Sequence, residues 1–144
     1  MPMPDKVFLD TNILVYLANE DSSFHLRVAN KVKELTKRSE LWISRQVLRE
    51  YAVVMTGSGG VEKPLFLRKV VTDIEKWEGI FQIADETEEV TKFLKELIVS
   101  YTIKGKRIHD ANIFATMMVN LIKTLFTLNK QDFKSFEKIN LIPI

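Results

Sequence analysis

Lys6-Val7-Phe8-Leu9-Asp10-Thr11-Asn12-Ile13-Leu14-Val15-Tyr16-Leu17 is the stretch that decides the fold. Its first residues form a β-branched and aromatic run suited to a short buried strand, and Asp10-Thr11-Asn12 interrupts it with residues that favour a turn or a helix N-cap. Ile13, Leu14, Tyr16 and Leu17 then recur at helical spacing. Working outward, the same alternation repeats. A second helix is expected from about Ser22 to Arg38, then a strand at Leu41-Trp42-Ile43 and a helix from Arg45 to about Thr56 with Ser44 as its N-cap. Gly57-Ser58-Gly59-Gly60 ends that helix; it reads as a plain connecting loop, with a lid or a docking hinge as the alternative. Pro64 fits the first turn of a helix to about Glu78, and Phe81-Gln82-Ile83 forms a third strand. Asp85 and Glu88 have the spacing of a capping box for a helix through Val90, Phe93, Leu94, Leu97 and Ile98, with Gly105 marking its end. A helix from about His109 to Ile122, a strand at Thr124 to Thr127, a short turn or helix near Asp132 and a last strand at Ile139 to Ile142 complete the chain. Short strands alternating with helices predict an α/β fold with a mostly parallel sheet in one domain over residues 1–144, binding its ligand beyond the C-terminal ends of the strands.

The composition narrows the function. The 144 residues are 46% hydrophobic and 28% charged, as in an ordinary folded domain, which excludes disorder and collagen-like repeats. There is no cysteine, so a disulfide framework, a thiolate zinc site and a cysteine nucleophile are all excluded. The formal net charge of +2 is too small for binding nucleic acid by bulk charge, so any such contact must be local. No apolar run approaches the roughly 20 residues that cross a bilayer. Met1-Pro2-Met3-Pro4-Asp5-Lys6 lacks the basic-then-apolar pattern of a secretory signal, so a cytoplasmic protein is expected.

Four acids stand where the local pattern expects something else. Asp110 shares a helical stripe with Phe114, Met117 and Leu121, while Asn112, Thr116 and Asn120 take the opposite, polar arc. An ionised, unpaired carboxylate on the core side costs several kcal/mol, so Asp110 must cap its helix, pair with a cation or bind metal. Glu50 lies beside Val54, between an apolar arc of Val47, Leu48, Tyr51 and Met55 and a polar one of Arg45, Arg49 and Thr56; a solvated glutamate paired with an arginine is the plain alternative. Asp10 ends a strand and taken alone could be no more than an N-cap for the first helix, and Asp132 taken alone reads first as a turn acid or a cap for a short helix. Together the four would meet at one end of a parallel sheet, where their mutual repulsion favours proton uptake or a divalent cation. All-oxygen ligands suit Mg²⁺ or Mn²⁺, and the chemistry such a site serves is phosphodiester hydrolysis.

Val7 to Tyr16, Ile43-Ser44-Arg45-Gln46-Val47-Leu48-Arg49-Glu50-Tyr51, and Gly105-Lys106-Arg107-Ile108-His109-Asp110-Ala111-Asn112 continuing to Phe133 resemble, in order and spacing, the PIN domain family, and within it the VapC-like toxin nucleases. The resemblance implies a three-layer fold with a central, mostly parallel five-stranded sheet flanked by helices. It implies a Mg²⁺- or Mn²⁺-dependent ribonuclease, a homodimer, and a cognate antitoxin protein as partner. Asp10, Glu50 and Asp110 match the first three acids of the family's metal site. The fourth position is carried to Asp132 of the Asp132-Phe133 pair, because Asn129 stands where many members have an acid, two residues after the threonine matched by Thr127. Thr11, Asn12, Ser44, Thr127 and Asn129 would then hold carboxylates or water by hydrogen bonds, or serve only as caps and strand ends.

Lys104, Lys106 and Arg107 precede Asp110 and fit either an RNA backbone or a solvated turn; Arg45 and Arg49 offer the same choice beside Glu50. His109 falls on the polar side of its helix, and Trp42 and Tyr51 on core-facing positions. Two other readings compete. A phosphatase using Asp10 as nucleophile is disfavoured by Asn12, where the haloacid dehalogenase-like enzymes carry a second Asp. A catalytically silent module that binds RNA or protein would be expected to have lost its acids.

Overall fold

A computed structural model describes residues 5–57 and 64–144. The apolar runs become strands β1 (Asp5–Leu9), β2 (Ser39–Ser44), β3 (Gln82–Ala84), β4 (Thr124–Phe126) and β5 (Asn140–Leu141), and the periodic segments become helices α1 (Thr11–Ala18), α2 (His25–Thr36), α3 (Arg45–Gly57), α4 (Pro64–Ile80), α5 (Glu88–Ser100) and α6 (Arg107–Val119). The five strands form one sheet in the order β3-β2-β1-β4-β5, every pairing parallel. Parallel strands need a crossover between them, and here each crossover but the last carries two helices. The crossovers from β1 to β2 and from β2 to β3 run one way along the sheet, and the return from β3 to β4 runs the other way. The right-handed rule therefore puts their helices on opposite faces. The packing agrees: α1 packs on α2 and α3, α3 on α4, and α5 on α6.

The core is continuous across the sheet. Phe8, Leu9, Ile43, Leu125 and Phe126 are fully buried, with Ile13, Leu14, Val47 and Met117 closing over them from the helices. Phe114 stacks on Phe136 at 4.4 Å, and Tyr51 meets Trp77 edge-on at 4.6 Å, so Tyr51 and Trp77 are packing residues. Among the described residues no helix is long and apolar enough to cross a membrane.

Several local expectations are corrected. Trp42 is only partly buried: Lys6 Nζ lies 5.0 Å over its ring, and its Nε1 donates to Glu40 Oε1 at 3.4 Å. Asp85 opens no capping box; α5 begins three residues later, with Thr87 at the cap position and no side-chain cap bond. The helix also ends before Gly105, at Ser100, because Thr102 takes a left-handed φ of 52° and turns the chain. Leu121 leaves the core stripe for the same reason, with φ 60° and 77% exposure beyond the end of α6. Of Gly57 to Gly60 only Gly57 lies among the described residues, and it is the last residue of α3.

Buried Tyr51 donates its hydroxyl to Asp73 Oδ2 of α4 at 2.7 Å, and Lys69 Nζ stands 3.3 Å from the same oxygen. Burial and the Asp73 carboxylate push the phenol above its ordinary range, so it stays a neutral donor. Tyr51→Phe is expected to cost about 1.5 kcal/mol, since Asp73 loses one hydrogen bond but keeps the lysine, and to lower the melting temperature by roughly 4 °C. Thermal unfolding followed by circular dichroism measures it; an unchanged transition would mean that the hydroxyl contributes nothing to α3–α4 docking.

Candidate active site

The strand order reverses at β1. From it the chain builds outward to β2 and β3, then returns to place β4 on the other side, so the loops leaving β1 and β4 diverge around a crevice at the C-terminal sheet edge. Asp10 is the first residue past β1, and its own N–H still bonds Phe126 O at 3.1 Å. It is 7% exposed, and both oxygens of its carboxylate accept hydrogen bonds from the protein, which leaves a lone pair of Oδ1 free. One oxygen accepts from Thr11 N–H at 2.8 Å, capping α1, and the other from the Thr127 hydroxyl at 2.8 Å and Asn12 Nδ2 at 3.3 Å. Asn12 also donates to Thr127 Oγ1 at 3.1 Å and accepts from Leu128 N–H at 3.1 Å, while Asn129 N–H donates to Thr127 Oγ1 at 3.0 Å. The two loops are laced together through three polar side chains, and Asp10 is both a helix cap and a wall of the crevice.

Glu50 and Asp110 arrive on helices. The start of α3 is clamped by Ser44 Oγ, which accepts from Val47 N–H at 3.4 Å, and by Glu86 Oε1, which accepts from Gln46 N–H at 3.1 Å. That directs Glu50, one turn further on, into a cleft of about 790 Å³ lined by Asp10, Glu50, Asp110 and Asn129 on its polar side. Asp110 lies in the first turn of α6, where the helix dipole favours negative charge. Val15, Tyr16, Val53 and Val54 make the same cleft apolar at its other end. Asp132 does not line it; it is exposed on a single 3-10 turn (Lys130–Phe133) just outside.

The four carboxylates nevertheless act on one another. Burial raises Asp10 above its ordinary pKa, opposed by its bonds from Thr127 and Thr11 and reinforced by the charge of Asp132. Burial raises Glu50 too, with the charge of Asp10 next, against a hydrogen bond from Gln46. Asp110 rises to about 6, by burial first and then by the charges of Asp132 and Asp10, with Arg107 and His109 opposing. Mutual repulsion of this kind is relieved by protons or by a cation. The donor set is all oxygen, which fits Mg²⁺ or Mn²⁺. No three Asp, Glu or His side chains among the described residues are grouped closely enough to hold one ion between them. Mg²⁺ does not require that, since it commonly takes one or two carboxylates and completes its shell with water and substrate phosphate.

The other expected residues divide. Thr127, Asn12 and Asn129 meet at the Asp10 carboxylate as described, whereas Ser44 is fully buried as a helix cap and touches no carboxylate. Thr11 gives its N–H to Asp10, but its hydroxyl is the one buried side-chain oxygen without a partner among the described residues. Arg45 pairs with Glu78 of α4 and does not line the cleft. Arg49 does line it, 3.6 Å from Glu86. Arg107 donates to Ser135 Oγ at 3.2 Å, and Lys104 and Lys106 are exposed. His109 is exposed as its helical position indicates, yet it also borders the cleft. The polar arc of α6 is partly covered. Thr116 is fully buried, and the half-buried Asn112 and Asn120 bond to Gln46 Oε1 and to Asp85 O.

Gln46 is the residue that sequence reasoning passed over. A glutamine in a first helical turn looks solvated; its only signal is the four-residue spacing to Glu50. It is 3% exposed, and its side chain bonds Glu50, Asn112 and the His109 carbonyl.

The PIN domain family model matches residues 7–139. No curated protein sequence matches the chain significantly. Solved structures do. VapBC2 from Rickettsia felis, bound to a DNA fragment from its promoter, is 23% identical with a TM-score of 0.74, covering 95% of this chain and 97% of that one. VapBC-1 from nontypeable Haemophilus influenzae is 18% identical with a TM-score of 0.69, covering 95% and 96%. The sarcin-ricin loop cleaving toxin VapC20 of Mycobacterium tuberculosis is 18% identical with a TM-score of 0.68, covering 90% and 95%.

Proposed function

The chain belongs to the PIN domain family, and from that premise we propose that it is a divalent-metal-dependent ribonuclease, the toxin of a toxin-antitoxin pair. One observation carries the reading: Asp10, Glu50 and Asp110 line a single cleft at the C-terminal edge of a parallel sheet, and each has its proton affinity raised by burial and by the other acids. Asp10 and Asp110 would hold Mg²⁺ or Mn²⁺, with Glu50 and Asp132 completing the site through water or a second ion. A cation there supplies positive charge against the charge developing on phosphate and makes an attacking water more acidic.

The remaining chemistry belongs to the chain. Thr127 and Asn12 keep the Asp10 carboxylate oriented and favour its ionised form despite burial. Glu50 and Asp110, raised in pKa, would release any bound protons to solvent when a cation binds and so would couple metal loading to pH. Arg49, which lines the cleft beside its Glu86 partner, and the exposed Lys106 and Arg107 would meet RNA phosphates, whereas Arg45 pairs with Glu78 and does not line the cleft. The structural neighbours that are toxin-antitoxin complexes support an antitoxin partner, and we place a homodimer and a cytoplasmic location with the same reading. A silent RNA- or protein-binding module is the second reading, favoured by the absence of any closed group of three ligands among the described residues.

The test is cleavage of an end-labelled RNA pool by the purified chain in Mg²⁺, Mn²⁺ or EDTA. Cutting with metal and none in EDTA is the expected result. RNA binding without cutting in every metal, by a chain shown to carry no bound antitoxin, would establish the module instead.

A further inference from the structure

A primary amide buried between two helices is stable only if its donors and acceptor are used, and once they are used it holds both helices in one arrangement. Gln46 is in that position. Its Nε2 donates to Glu50 Oε2 at 3.3 Å, one turn along α3, and to the backbone carbonyl of His109 on α6 at 2.8 Å; its Oε1 accepts from Asn112 Nδ2 at 2.7 Å. Both amide hydrogens and one lone pair are therefore committed; the His109 carbonyl, which can only accept, determines which way round the amide lies, and Asn112 completes the arrangement by donating to its oxygen. The His109 carbonyl belongs to the peptide bond that leads into Asp110. A single side chain thus touches one acid of the cleft directly and the backbone of another, across 63 residues of sequence. The Gln46 N–H is itself fixed to Glu86, so the bridge starts from an anchored turn.

We infer that Gln46, oriented by the His109 carbonyl and held by Asn112, is the positioning residue that sets Glu50 against Asp110 and so determines how tightly the cleft holds a divalent cation. The inference rests on the metal-site reading above. A purely structural role would cost stability wherever the acids stand, whereas a positioning role acts through Glu50 and disappears when Glu50 no longer binds. Gln46→Met keeps the length and most of the volume of the side chain while removing all three hydrogen bonds.

The experiment is Mn²⁺ titration of the metal-free full chain, read from the paramagnetic resonance signal of free Mn²⁺, on the wild type, Gln46→Met, Asn112→Ala, Glu50→Gln and the Gln46→Met/Glu50→Gln double variant, with melting curves to confirm folding. Gln46→Met is expected to weaken Mn²⁺ binding about tenfold, and Asn112→Ala in the same direction. In the Glu50→Gln background Gln46→Met should add less than about twofold. Excess Mn²⁺ should also restore RNA cleavage by Gln46→Met, a rescue that damaged packing would not show. A folded Gln46→Met with wild-type affinity, or with the full tenfold loss retained beside Glu50→Gln, would overturn the positioning role while leaving the metal site intact. If Gln46→Met does not fold, unchanged Mn²⁺ affinity in Asn112→Ala overturns it. A wild-type chain that binds no Mn²⁺ would overturn the metal-site reading and this inference with it.

Discussion

Asp110→Asn is expected to lower metal-dependent RNA cleavage by more than about 100-fold while leaving the chain folded. Changing a residue that merely supports a metal ligand commonly costs 10–100-fold, so removing a carboxylate proposed to hold the cation must exceed that range. The substitution keeps the shape of the side chain and removes a charge that burial opposes first, and Asp132 and Asp10 after it. The metal-free variant should therefore melt at a higher temperature than the wild type near neutral pH. Asp10→Asn should lose cleavage to the same degree without losing α1, because asparagine caps a helix as well as aspartate does. Cleavage and melting of the two variants beside the wild type decide the matter. Wild-type turnover by Asp110→Asn would remove it from the site, and a collapsed melting temperature would show that the acid stabilises the fold.

The second large effect is on stability. A divalent cation at a hundred times its dissociation constant adds about 2.7 kcal/mol, so Mg²⁺ or Mn²⁺ should raise the melting temperature of the chain by roughly 10 °C over EDTA. The metal-free protein should also depend on pH in the sense opposite to an ordinary salt-bridged acid. Asp110 has its pKa raised from 3.8 to about 6 in the folded chain, so the folded state holds this proton more firmly than the unfolded one. The stability it contributes is complete below about pH 4 and is lost as pH rises to and through 6; burial of Asp10 and Glu50 acts with the same sign. Melting curves from pH 4 to 8, in EDTA and in Mg²⁺, test this. The difference between the wild type and Asp110→Asn should widen with pH in EDTA and narrow in Mg²⁺. A difference independent of pH would mean that neither burial nor the neighbouring acids raise the pKa of Asp110 in the folded chain.

Much of this was legible in the chain itself. Val7-Phe8-Leu9 reads as a buried strand that Asp10 ends, whether as cap or as site residue; Asp10 caps α1 and lines the cleft. Asp110 stood out because a carboxylate interrupted an apolar stripe. The misjudged positions share a cause. Leu121 and the Asp85 cap were read from spacing, but a left-handed residue after α6 and a later start of α5 shifted the chain off the helical period. Spacing puts Thr116 and Asn112 on a polar arc, but periodicity reports only which residues share a face and says nothing about what covers it, and here Thr116 is buried and Asn112 bonds Gln46.

By itself, then, the sequence determined the alternation of strand and helix and the parallel sheet, and it singled out four acids, of which Asp10, Glu50 and Asp110 line the cleft and Asp132 does not, because each of these is written in local patterns of residue type and spacing. Tertiary structure alone decided that β1 lies between β2 and β4, so that the Asp10 loop meets Thr127. It decided that Arg45 turns away to Glu78 while Arg49 remains at the cleft, and that Gln46 is buried at the junction of α3 and α6. The reason is physical: local patterns specify which side of an element is apolar, but which element covers that side depends on burying the whole core at once, and only that choice brings residues 63 or 117 positions apart into hydrogen-bond reach.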